Sequence, residues 1–362
     1  LYWSTIDTSS WSFFLVEVST STAFASTLAA TIGNESAQGI DLIVFSDWGY
    51  LVAAILGALI GSFVNVVVIR LPKGMSVVRP GSHCMSCDAP VAWYDNLPIL
   101  SYLILRGRCR RCGARFSVVY MLVEVLVAGL AVACFAHARA SQAHDAWAVA
   151  GHFSAELAFC AVLAAIALID VRTWIIPNVI TYPSMAIFWG AAVSLQRLSW
   201  GEAVAGLAFG FAGLGGLILV YHWVTGREGM GWGDAKLLGL IGAFLGWQSL
   251  PLVIFLAAVQ GLAAAVLLVA TGRTLAPSEP YVPLEDERGE REDEEEEAQD
   301  EHERDEHEHG EGGEGDEGKR EDAPTSWRHV PLPFGPFLAL AGVEALLLGD
   351  LILDLLLPAL SV

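Results

Sequence analysis

The feature that most limits what this chain can become is a series of long apolar stretches, at roughly 49–69, 119–137, 154–170, 179–197, 203–223, 237–250, 251–270 and 334–357. A helix that crosses a bilayer needs about 20 mostly apolar residues, because in hydrocarbon every backbone N–H and C=O must find its partner inside the segment. Most of the stretches meet or approach that length. They predict an all-α, polytopic integral membrane protein with about eight transmembrane helices. Composition agrees, since 54% hydrophobic and 17% charged residues are too apolar for two ordinary soluble domains.

The net charge of −20 describes one segment rather than the whole chain, because residues 285–322 hold 22 acidic side chains against 5 basic ones. Such a run repels itself and has almost no apolar surface to bury, which predicts a disordered, solvated insert within 271–332. Its histidines offer metal contacts as a second reading. Residues 1–48 begin with Leu and lack a basic n-region, so they are expected to be poorly ordered or weakly apolar, neither a signal peptide nor a clear span. An extra helix over the moderately apolar 11–32 is the alternative.

Between the first two spans, residues 70–118 carry Arg70, Lys73, Arg79, Arg106, Arg108, Arg110, Arg111 and Arg115 against Asp88 and Asp95. Lys and Arg concentrate in cytoplasmic loops, which predicts this face for the segment. Alternation then brings the turns near 171–178 and 224–236 to the same side. Asp170, ending the third span, and Asp234, opening the sixth, therefore arrive at one membrane face although 64 residues separate them.

A carboxylate near hydrocarbon is unfavourable, by about 2.5–3.5 kcal/mol at a helix centre on insertion scales and less near an end. Two on one face suit aspartyl hydrolysis: close carboxylates do not both ionise easily, so they share a proton, one activating water while the other polarises a carbonyl. Gly229, Gly231 and Gly233 in "GMGWGDAKLLGLIGAFLGW" allow tight turns and close approach of a substrate strand. In "LIDVRTWIIPN", Pro177 fixes its own φ and disfavours helix at Ile176. Two other readings stay open on spacing alone. Asp234 could cap a helix starting at Ala235 and Asp170 could simply end a span, or the pair could line an ion or proton pathway.

Two CxxC pairs, Cys84 with Cys87 and Cys109 with Cys112, stand 21 residues apart, close to the spacing of zinc ribbons. Four thiolates complete a tetrahedral Zn²⁺ shell and leave no position for a reacting water, so the metal would be structural. A reducing compartment argues against two disulfides; redox thiols and unliganded cysteines are the alternatives. His83 could replace one ligand. Cys134 and Cys160 lie in predicted spans and read as small packing residues.

Taken in order, "GALIGSFVNVVVIRLPKG", "WYDNLPILSYLILRGRCRRC", "LIDVRTWIIPN", "GMGWGDAKLLGLIGAFLGW" and "PFGPFLALAG" resemble the type 4 prepilin leader peptidases, or prepilin peptidase/N-methyltransferases, over about 49–342. The resemblance implies an enzyme of the bacterial inner membrane with its active site at the cytoplasmic face. Asp170 and Asp234 would be the peptidase dyad, cutting after a glycine in the leader of type IV prepilins and type II secretion pseudopilins. It implies that 49–137, with the zinc loop 70–118, forms a methyltransferase half that uses S-adenosylmethionine to methylate the new amino terminus, although no GxGxxG fingerprint assigns residues to that cofactor. Residues 138–270 would be the peptidase domain and 333–362 a last transmembrane helix. Val119 departs from the basic residue the family commonly carries before Tyr120, which leaves a peptidase without methylation as an alternative.

Other marked residues admit two roles each. Asn65 could bond a neighbouring helix or touch substrate. Glu124 could orient substrate or cofactor, or pair with an arginine. Lys236 could favour an ionised carboxylate in the dyad or reach for lipid phosphates. The basic loop could also bind anionic headgroups. Gly206, Gly210 and Gly213 predict close helix packing, and His222 and Glu228 read as surface groups. No P-loop, hydrolase nucleophile motif or nucleic-acid stripe is present, and the sequence leaves the oligomeric state open.

Overall fold

The computed structural model describes residues 41, 44–142, 145–226, 231–271 and 332–356. The expectations for the first forty residues, for Glu228 and Gly229 and for the acidic insert 285–322 concern residues outside that set.

Nine α-helices are present among the described residues: α1 Trp48–Arg70, α2 Leu100–Leu105, α3 Val118–Ser141, α4 Ala146–Thr173, α5 Asn178–Ser194, α6 Trp200–Thr225, α7 Trp232–Leu245, α8 Leu250–Thr271 and α9 Gly335–Leu356. Among the described residues six segments are long and apolar enough to cross a membrane, namely Trp48–Lys73, Val118–Ser141, Ala146–Thr173, Trp200–Thr225, Trp247–Thr271 and Gly335–Leu355. The chain is thus a multi-pass helical membrane protein. Six of the eight expected stretches reach that length among the described residues; α5, with 17 residues, falls just short of it and α7 has only 14. At about 1.5 Å per residue α7 extends about 21 Å, short of a hydrocarbon core of about 30 Å. Local chemistry sets these lengths: Pro177 stands at the N-cap of α5, and α7 runs between Gly231 and Gly246, the latter at φ 86°.

Two glycine-mediated helix pairs organise the packing. In the first, a Cβ on Gly57 would overlap Ala131 and the Val127 carbonyl, and one on Gly61 would overlap Glu124 Cα, so α1 lies against α3 nearly backbone to backbone. In the second, Gly206 meets Gly242, and Gly210 meets Leu238 and Gly239, bringing α6 equally close to α7. Small residues permit this, and van der Waals contact between such surfaces is a main source of helix association in lipid. Gly213, the third glycine of the sequence pattern, meets nothing within 4 Å.

Short as it is, α7 lies at the centre. Leu237, Leu238, Leu240, Ile241, Ala243 and Phe244 are all fully buried, with α6 on one side, α5 on another and α9 on a third. The rings of Phe159, Phe188 and Phe244 meet with centroids 4.6–5.4 Å apart. Being enclosed by protein, the ends of α7 need not reach the lipid boundary. Its first turn, with Asp234, is thereby fixed inside the bundle.

Candidate active site and metal centre

Asp170 lies in the last turn of α4, which ends where the Trp174 N–H bonds the Asp170 carbonyl at 2.8 Å and Trp174 adopts φ 59°. Its side chain is buried, with 4% of the residue exposed. Asp234 is also buried, at 8%. The reading that Asp234 caps a helix starting at Ala235 is corrected: α7 begins at Trp232 with Gly231 as N-cap, and Asp234 occupies the third helical position. Gly231 reaches an extended N-cap conformation, φ −73° and ψ 141°, a role glycine fills nearly as well as Ser or Asp.

The two carboxylates are brought together at one end of the bundle, near enough for the charge of Asp170 to act on Asp234. Ile176, in the break between α4 and α5, packs on Gly233, the residue before Asp234: a Cβ on Gly233 would stand 3.1 Å from Ile176 Cβ. Gly335, the first residue of α9, closes the site. Its backbone lies directly against the Asp170 carboxylate: a Cβ on Gly335 would overlap Asp170 Oδ2 and lie 3.0 Å from Ile176 Cδ1. The motif around Gly335 was legible in the sequence, but its contact with Asp170 was not.

Lys236 is held by α5. Its Nζ donates to Asn178 Oδ1 at 3.0 Å and stands 5.1 Å from the Tyr182 ring centroid. The ammonium thus ties the start of α7 to the start of α5. Asn65 bonds a neighbouring helix, its Nδ2 donating to the Tyr120 carbonyl at 2.9 Å. Glu124 accepts the Ile99 N–H at 2.7 Å rather than an arginine. Ile99 sits at φ 62° and ψ −53°, a costly conformation for a β-branched residue.

The four expected cysteines converge, with all four sulfurs within 4.8 Å of one another. Each CxxC pair forms a tight knuckle closed by backbone bonds, Asp88 N–H to the Cys84 carbonyl at 2.8 Å and Gly113 N–H to the Cys109 carbonyl at 3.0 Å. The residue after each second cysteine takes a left-handed conformation, Asp88 at φ 50° and Gly113 at φ 72°. A tetrahedral Zn²⁺ with bonds of about 2.3 Å requires sulfurs about 3.8 Å apart, and Cys84 and Cys112 stand at 3.8 Å. The donor set therefore fits zinc. Backbone hydrogen bonds from Cys112, then Arg111, lower the Cys109 thiol to about 6, favouring the thiolate a metal needs. His83 turns away to the Gly81 carbonyl, 3.0 Å from Nδ1. Outside the knuckles, Arg110 forms a two-pronged bond to Asp95 at 2.8 and 2.6 Å.

Sequence reasoning missed a second polar centre at the opposite end of the bundle. Glu156 of α4 is completely buried and is bonded by Arg197 and by His137 Nδ1, the latter at 3.0 Å. Arg197 also lies 4.9 Å over the Phe244 ring. Pairing of this kind offsets the cost of burying an ionised carboxylate. An ionisable residue inside an apolar run, as in "HFSAELAFC", was the available signal. Cys134 and Cys160 are fully buried in van der Waals contact, as expected, their sulfurs 3.7 Å apart.

A multi-pass helical protein that buries two aspartates side by side and carries a four-thiolate centre in a polar loop belongs to a narrow class of membrane enzymes. Residues 55–138 match the Bacterial Peptidase A24 N-terminal domain, and residues 157–266 match the Type IV leader peptidase family. The chain belongs to that enzyme family. It is 34% identical over 306 residues to the prepilin leader peptidase/N-methyltransferase of Myxococcus xanthus, covering 82% of this chain and 89% of the relative. The protein of the same name from Aeromonas hydrophila is 31% identical, with 87% and 94% covered; that of Neisseria gonorrhoeae is 34% identical, with 65% and 88% covered. No solved structure matches.

Proposed function

We propose that this chain removes the leaders of type IV prepilins and type II secretion pseudopilins, with Asp170 and Asp234 as its catalytic dyad. The observation that carries the reading is the burial of these two carboxylates together, from the end of α4 and the start of α7. One carboxylate takes a proton from water as the oxygen attacks the scissile carbonyl, while the other donates its proton to the carbonyl oxygen. Collapse of the tetrahedral species then breaks the C–N bond and protonates the leaving amine. General acid–base assistance of this kind is worth roughly 10²–10⁴-fold per group. Gly231 and Gly233 leave room beside Asp234 for an extended substrate backbone, and Lys236 holds α7 on α5.

The basic loop supports a site at the cytoplasmic face of the inner membrane, where Arg and Lys side chains would also meet anionic headgroups. Zn²⁺ would be held by Cys84, Cys87, Cys109 and Cys112 and would supply folding free energy to a loop with little apolar core. After cleavage the segment 49–137 methylates the new amino terminus. S-adenosylmethionine, when bound, supplies the methyl group.

Cleavage of a purified prepilin by the wild type, Asp170→Asn and Asp234→Asn proteins tests the dyad. Cutting by the wild type alone is expected. Cutting by both variants at wild-type rate would make the two carboxylates structural.

A further inference from the structure

We propose that residues 93–105, within the segment that carries the cysteine centre, dip into the bilayer and lie in phospholipid at the face where α1 ends and α3 begins. They form a lipid-embedded anchor for the cysteine knuckles, not a stretch of solvated loop.

Depth is set by one hydrogen bond. The Ile99 N–H, just before α2, donates to the Glu124 carboxylate at 2.7 Å. Glu124 stands six residues beyond Val118, the first residue of α3, so its Cα lies about 9 Å inside that helix. Gly61 lies against the same Cα, and it precedes Arg70, the last residue of α1, by nine residues, or about 14 Å. Both spans therefore place Glu124 below the membrane surface. A helical side chain tilts toward the N-terminus of its helix, but that of a glutamate is shorter than either distance. Ile99 thus stays within the depth of the two spans.

What the segment presents at that depth is apolar. Trp93, Tyr94, Leu97, Leu100, Leu103 and Ile104 are exposed, Ile104 at 71%, and α2 carries no charged residue. A patch of this kind marks a surface that something covers. The backbone is closed as hydrocarbon demands. The Ser101 N–H bonds the Leu97 carbonyl at 3.0 Å, the Leu103 N–H that of Ile99 at 3.1 Å and the Gly107 N–H that of Tyr102 at 2.9 Å. The Ser101 hydroxyl turns back to the Leu97 carbonyl at 2.7 Å.

Charge returns where the chain rises again. Arg106, Arg108, Arg111 and Arg115 follow α2 and are exposed, placed to reach anionic headgroups. Arg110 turns the other way: it bonds Asp95 twice and lies 5.7 Å from the Tyr94 ring centroid. Because Arg110 stands between Cys109 and Cys112, it clamps the turn at 93–95 to the second knuckle. Aliphatic residues held within two spans, then Trp and Tyr, then arginines follow the layering of a bilayer leaflet, which selects lipid over a protein partner.

The test is photo-crosslinking by the full chain in vesicles of phosphatidylethanolamine and phosphatidylglycerol. The probe, p-benzoylphenylalanine, takes the place of Leu100, Leu103 or Ile104, and of Ser86 in the first knuckle as a reference. Phospholipid adducts, read by mass spectrometry, should be at least about fivefold more abundant at 100, 103 and 104 than at 86. Glu124→Ala removes the acceptor of the Ile99 N–H and should cut the adduct at 100 by about half or more. Should Glu124→Ala insert poorly, a fluorescent residue at 104 in the otherwise unaltered chain gives the depth: acyl-chain spin labels should quench it and aqueous iodide should not.

Equal lipid labelling at 104 and 86 would overturn the assignment. So would adducts at 104 to a second copy of the chain or to added prepilin in place of lipid, an unchanged adduct at 100 in well-inserted Glu124→Ala, or quenching at 104 by iodide alone.

Discussion

The cysteine centre and the aspartate pair pose the same electrostatic problem and solve it by different means. Each gathers groups that repel one another once ionised. In the loop, four sulfurs within 4.8 Å would be reconciled by a cation, and the cluster comes from 29 consecutive positions, 84–112, folded by two local knuckles. In the bundle, on the proposed reading, two carboxylates would be reconciled by sharing a proton, and the cluster comes from α4, α7 and α9 through tertiary packing alone. A metal can organise a short polar loop, whereas a proton-sharing pair needs a rigid scaffold around it.

If that contrast is right, damage to one centre should spare the other. The largest effect is expected from the dyad. Asp170→Asn or Asp234→Asn should lower prepilin cleavage by at least about 10³-fold, while zinc content, read by metal analysis of the purified protein, stays at wild type. Next is the scaffold: Gly242→Val drives a side chain into the Gly206 carbonyl. Such overpacking costs about 1–3 kcal/mol or more, so folded yield and cleavage should fall together in detergent while the cysteines of surviving protein still bind zinc.

Cys84→Ser inverts the pattern. Metal content should drop below half and the loop should become sensitive to protease, with cleavage changed less than tenfold; a cleavage loss as deep as that of the dyad variants would end the separation of the two centres. Methylation of the cleaved product, read by mass spectrometry, should fall in the same variant. Smaller again is Glu124→Gln, which weakens the bond from the strained Ile99 N–H. A charged acceptor there is worth about 1.5–3 kcal/mol, so loop protection in hydrogen exchange should decrease near 99 but not at 170. The least effect belongs to deletion of 285–322. Those residues lie between α8 and α9 in sequence, yet both centres should keep metal and activity.

The same contrast explains what could be read in advance. The cysteine centre was legible because its spacing is its geometry. For the aspartates, residue identity and common membrane face followed from span parity, since two helices return the chain to the side it left. The start of α7 was misplaced because a glycine N-cap was read only as a turn, which put Asp234 outside the helix instead of in its third position. Gly335 and Glu156 were not legible as contacts. Each acts on a partner fixed by three-dimensional packing, Gly335 at the far end of a span and Glu156 across two others. The short length of α7 was hidden too, because an apolar run buried by protein looks like one buried by lipid.

The position of Gly335 gives the dyad a history as well as a geometry. A nascent chain that has made α4 and α7 already holds both aspartates, but the residue that touches Asp170 emerges about a hundred positions later. Until α9 inserts beside α4, the pair lacks its third wall. A protease that matures in the membrane it patrols would thereby remain unfinished during its own synthesis, and chains broken off before the last helix would carry the two acids without the arrangement that makes them a pair.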